Sequence, residues 1–130
     1  MRPGRAAEFL NGGLSSSDLE AELSVELRNW IRAMSERGRA AHVVVDPAHP
    51  QVRITASHVE HLLSEVVNER LSLAAGAYLV DALLISDTFT IEAQDLIDRL
   101  EALSETQHKG VLSIATARAV IEALRHRDEK

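Results

Sequence analysis

The stretch SHVEHLLSEVVNERLSLAAGAYLVDALLI, Ser57 to Ile85, decides how the rest of the 130-residue chain is read. It opens on Ser57, His58, Val59 and Glu60, a pattern in which a serine hydroxyl and a carboxylate three residues on can satisfy free amides of a first helical turn. Val59, Leu62, Leu63, Val66, Val67 and Leu71 then recur at helical spacing, and neither proline nor glycine interrupts them before Gly76. Carried through to Ile85, the pattern predicts one helix of about 29 residues, ~43 Å long at a rise of ~1.5 Å per residue. A break near Ser72 is the competing reading. The apolar run from Leu71 to Ile85 holds Asp81 and is shorter than the ~20 residues needed to cross a bilayer, so it reads as a buried helix.

Two charges in this helix ask for partners. Arg70 falls on the apolar stripe and Asp81 is the only formal charge between Leu71 and Ser86, and both placements are costly if left uncompensated. On one continuous helix they face the same way but stand ~16 Å apart. Midway between them lie Ala74, Ala75, Gly76 and Ala77, small enough to let two helices approach closely. A second copy crossing antiparallel near Ala75 and Gly76 brings Arg70 of one chain to Asp81 of the other, twice. Arg70, Ala74, Ala75, Gly76, Ala77 and Asp81 are therefore the expected dimer interface. Reach of Arg70 to solvent, with Asp81 satisfied inside its own chain, is the plainer alternative.

Upstream, Ala41 to Asp46 and Gln51 to Thr55 are β-branched runs separated by Pro47 and Pro50, which predicts a small hairpin near residues 42 to 55. From Asp18 to Arg37, Leu19, Leu23, Leu27, Trp30, Ile31 and Met34 fit one helix face, with Ser17 or Asp18 as cap and Gly38 as terminator. Residues 1–17 hold three glycines and Ser15, Ser16 and Ser17 without a sustained period, and read as a flexible N-terminal arm. Downstream, Thr90 can cap a helix over Ile91 to Leu103, with Leu96, Ile97 and Leu100 inward and Glu92, Asp95, Asp98, Glu101 and Glu105 outward. Val111 to Ile114 reads as a short strand. A last helix runs from about Ala115 to His126, with Ala117, Val120, Ile121 and Leu124 inward. The expectation is a mainly α, bundle-like domain of four to five helices over residues 18–130, with one small β element.

Fourteen Lys and Arg against twenty Asp and Glu leave a net charge of −6, the wrong sign for a general nucleic-acid or anionic-membrane binder. The absence of cysteine removes thiolate metal sites, disulfides and cysteine nucleophiles together. The N-terminus has no apolar run after Arg2 and Arg5, so a cytoplasmic location is the default. No phosphate-cradling glycine loop, paired-histidine zinc motif or nucleophile elbow is present.

Of the metal-ligating types, His58, His61 and Glu65 share a helical stripe at i, i+3 and i+7, a donor set that suits zinc, iron or nickel. They lie opposite the apolar stripe, where a solvated polar face is the bland interpretation. His42, Asp46 and His49 could converge only if their proline-bounded loop curls back. The acidic row of the fourth helix spreads around its axis and reads as a wet face, and Phe9, Trp30, Tyr78 and Phe89 read as core. A helix-turn-helix with Arg118, Arg125, His126 and Arg127 is disfavoured by its long connection and its acidic first helix. These features point to a small interaction or regulatory protein acting as a homodimer, with no cofactor and no catalytic site evident. The alternative is a metal- or carboxylate-dependent helical-bundle enzyme using His58, His61 and Glu65 or Asp81.

Overall fold

The computed structural model describes residues 3–35, 52–85, 88–91, 93–103 and 113–126. In chain order these form α1 (Pro3–Leu10), α2 (Ser16–Ser35), β1 (Val52–Ile54), α3 (Ala56–Val67), α4 (Leu73–Ile85), β2 (Phe89–Ile91), α5 (Gln94–Ala102) and α6 (Ile114–His126). The chain is mainly helical, as the periodicity predicts. Among the described residues no helix is long and apolar enough to cross a membrane.

The middle of the bundle is α4, because its sequence leaves it no wet side. Ala75, Ala77, Tyr78, Leu79, Val80, Ala82 and Leu83 are all buried, and α2, α3, α5 and β2 pack on it. A helix apolar all round has to be enclosed. The other helices are one-sided: α2 buries Leu19, Leu23 and Trp30, α5 buries Leu96 and Leu100, and α6 buries Ala117, Val120, Ile121 and Leu124 against α3.

The stretch from Ser57 to Ile85 is two helices rather than one. After Val67 the Arg70 amide donates to the Glu65 carbonyl at 3.0 Å and the Glu69 amide to the Val66 carbonyl at 3.0 Å. This is the paired closure of a helix on a left-handed residue, and that residue is Glu69, at φ 60°. Such positions favour glycine because a Cβ is strained there, so Glu69 carries no sequence signal of the stop. Ser72 then starts α4, its hydroxyl accepting from the Ala75 amide at 3.1 Å and its carbonyl from the Gly76 amide at 2.9 Å.

Other boundaries shift for equally local reasons. The cap of α3 is Thr55, not Ser57, and its partner is His58, not Glu60. Ser15 caps α2 by accepting from the Asp18 amide at 3.1 Å. Ser113 and Thr116 cap α6 reciprocally, the Thr116 amide donating to Ser113 Oγ at 3.1 Å and the Ser113 amide to Thr116 Oγ1 at 2.8 Å. Ile114, expected in a strand, is thereby the first residue of a helix. Thr90 and Ile91, expected to cap and open the fourth helix, lie in β2, and α5 begins after Ala93.

The strand expected at Val52 and Ile54 is present, but its described partner is β2, in parallel register with Val52 beside Phe89 and Ile54 beside Ile91. A parallel pair needs a long crossover, and α3 and α4 supply it. The upstream run at 42–46 lies outside the described residues.

The stretch expected to be a loose arm is folded from Pro3. Ala6, Phe9 and Leu10 of α1 are buried, and Gly12 at φ 82° turns the chain, with the Gly13 amide closing on the Glu8 carbonyl at 2.7 Å. The glycines that looked like looseness end a helix and aim α2 back across the core.

Candidate functional site

The sequence-derived candidates meet where the α1–α2 corner lies against α3 and the α3–α4 turn, and the fold engages each of them separately. His58 occupies the third helical position of α3. Its backbone amide donates to Thr55 Oγ1 at 3.4 Å, while its Nδ1 accepts from the Thr55 amide at 3.2 Å. Its Nε2 faces Asn11 Oδ1 at 2.8 Å. One ring nitrogen accepting and the other donating defines a neutral imidazole with its proton on Nε2. Thr55→Ala should therefore lower stability by about 1 kcal/mol, measured by urea titration, since it leaves the His58 amide without its cap.

His61, one turn on, lies with its ring centroid 5.4 Å from that of Phe9, at an interplanar angle of 52°. Glu65 is buried, and Ser16 Oγ donates to its Oε1 at 2.9 Å. Its Oε2 accepts from Arg70 through both Nε and a terminal guanidinium nitrogen. The Arg70 hydrogen bonds hold the Glu65 carboxyl below its usual range, with desolvation opposing them and the Ser16 bond and the Arg70 charge assisting. Arg70 thus has its acid within its own chain, five residues back, at a spacing only the turn at Glu69 allows.

This placement removes the geometry of the expected dimer. Arg70 and Asp81 belong to separate segments, and Ala75, Gly76, Ala77 and Asp81 are enclosed by their own chain, with only Ala74 half-buried. A two-fold crossing on Gly76 would have to open that core. Nor do His58, His61 and Glu65 converge: among the described residues no group of three or more His, Cys, Asp or Glu could hold a metal ion. His42, Asp46, His49 and Arg127 lie outside the described residues.

Elsewhere the polar groups also serve packing. Arg125 Nε donates to Glu60 Oε1 at 2.7 Å, tying α6 to α3. Asp95, Asp98 and Glu101 are exposed, and a shallow groove between α5 and α6 is lined by Asp95, Asp98, Arg99, Ala102 and Val120. The four aromatic side chains are all buried, Trp30 edge-on to Tyr78 at 5.8 Å, with the Tyr78 hydroxyl donating to Glu26 Oε2 at 2.7 Å.

What the fold leaves open is apolar. Val25, Ile31 and Leu73 are 62, 45 and 44% exposed. At ~100° per residue, Glu20, Leu27 and Ile31 fall within about 20° of one line along α2. Leu73 follows Ser72, whose amide donates to Glu20 Oε1 at 2.9 Å, so the start of α4 is tied to α2 at Glu20. Leu27 and Ile31 complete the periodic face of α2; Leu27 packs half-buried against the core as that spacing predicts, whereas Ile31, beside the Trp30 that meets Tyr78 of α4, is exposed. No protein-family model, curated protein or solved structure matches this chain.

Proposed function

We propose that this is a small cytoplasmic interaction or regulatory protein that acts as a homodimer, through the flank of α2 rather than the alanine-rich helix. The observation that supports this reading is the exposure of Ile31 and Leu73, with the half-buried Leu27 on the line that joins Glu20 to Ile31. Exposed apolar side chains beside charged ones give a partner surface something to bury. The line begins at the acid Glu20 and has the exposed base Arg28 on its rim toward the other end, so a second copy laid antiparallel sets acid against base.

Sedimentation velocity over a concentration series tests it. The wild type should be dimeric at about 100 micromolar, and Ile31→Glu should be monomeric while retaining its helical content, because a desolvated carboxylate has no partner there. A monomeric wild type, or a dimer indifferent to Ile31→Glu and Leu73→Glu alike, removes the reading.

A further inference from the structure

We propose that His58 is a proton-sensitive latch: in its neutral form it closes the β1–α3 corner and holds the α1–α2 turn, and acidification through the imidazole range opens that corner. The geometry carries this. The Thr55 amide, the first backbone donor after β1, has His58 Nδ1 as its acceptor. An imidazolium carries a hydrogen on both nitrogens, so protonation sets two donors face to face and leaves the Thr55 amide without that partner. The cation would also stand in the first turn of α3, where the helix dipole opposes positive charge. The contact from Nε2 to Asn11 survives in either form, because that nitrogen is a donor in both. The contact that is lost is the one at the corner that joins β1 to α3.

On α1 the charged residues are Arg5 and Glu8, bonded to each other at 3.0 Å, with Arg5 also bonded to Glu22. The one charged residue of α4 is Asp81, and β1 carries exposed Arg53. On α6 Arg125 is bonded to Glu60, His126 Nε2 lies 3.5 Å from Glu122, and Arg118 is exposed. On α3 itself, Glu65 is bonded to Arg70 and His61 lies against Phe9. The side chain that meets the His58 ring from the α1–α2 turn is the uncharged Asn11.

The sign follows from linkage. If the closed corner accepts only the neutral ring, the open state binds one more proton, so closure is favoured at high pH and weakens as pH falls through the range in which a free imidazole titrates. Between pH 7.5 and 5.5 the open population should rise up to about tenfold, the ratio of proton binding to a free imidazole at those two values. Amide exchange corrected for intrinsic rates reads this directly: protection at Thr55 should fall about tenfold in the wild type and stay flat in His58→Gln, whose side chain accepts without titrating. A second measurement needs no variant: the Thr55 amide shift should titrate together with the His58 ring carbons. Equal pH dependence in wild type and His58→Gln, a Thr55 amide indifferent to His58 titration, or loss of the effect in His61→Gln instead, overturns the proposal.

Discussion

Replacing Phe9 by Ala lowers folding stability by about 3–5 kcal/mol, the cost of deleting a fully buried aromatic ring and leaving a cavity. Phe9 is 0% exposed in a helix of eight residues, so its ring is a principal anchor of α1. It packs on His61, and its loss also uncovers that face of α3. Set against total stabilities of about 5–15 kcal/mol for single domains, the change is a third or more of the whole. Urea titration followed by circular dichroism measures it. Were residues 1–17 a loose arm, the same substitution would move stability by no more than about 0.5 kcal/mol. The two outcomes do not overlap.

How much of this was legible follows from what each element writes into its own sequence. The inward faces of α2, α3 and α6 repeat over several turns, and Val59, Leu62, Leu63, Val66, Ala117, Val120, Ile121 and Leu124 are buried as their spacing predicts. Periodicity reports a face, but it does not report a stop. The turn at Glu69 ends α3 with a residue that ordinarily avoids left-handed backbone, and Asn68, Glu69 and Arg70 are each compatible with a helix. The only trace was Ser72, a competent cap inside an apolar run. The β1–β2 pair was hidden for a different reason: a parallel partner lies a whole crossover away, whereas local sequence speaks only for hairpins.

The site residues were found, but their roles were not. His58, Glu65 and Arg70 stood out because imidazole and charge on or beside an apolar helix are conspicuous, and that conspicuousness reflects partners in distant segments. Asn11 is 47 residues from His58 and Ser16 is 49 from Glu65. The nearer signals were legible in principle. Thr55 followed by an acceptor three residues on is a capping pattern, and Gly12 followed by Gly13 after Phe9 and Leu10 is a helix terminator. In a segment rich in glycine and serine, that terminator has the same composition as a loose arm.

Glu65→Ala should cost about 2–3 kcal/mol, and most of that loss comes from the side facing Ser16. Arg70 reaches the carboxylate from solvent, its side chain 60% exposed, so water and salt screen that arm and it contributes little. Ser16 is 3% exposed, and without Glu65 its hydroxyl is left buried without its acceptor, which costs about 1–3 kcal/mol. Arg70→Ala should accordingly be the milder variant, although the guanidinium is the main cause of the lowered pKa. The pH dependence separates the two contributions. Glu65 is depressed from its usual 4.5, so its contribution is fully present above about 4.5 and is lost as pH falls through the lower folded value. In acid titrations the wild type should lose stability over that window, while Glu65→Ala starts lower and shows a shallower acid limb. Arg70→Ala should move the midpoint of the loss upward, toward 4.5, with the Ser16 bond still formed. Parallel acid limbs for wild type and Glu65→Ala would mean that this carboxylate does not couple the α1–α2 corner to the α3–α4 turn.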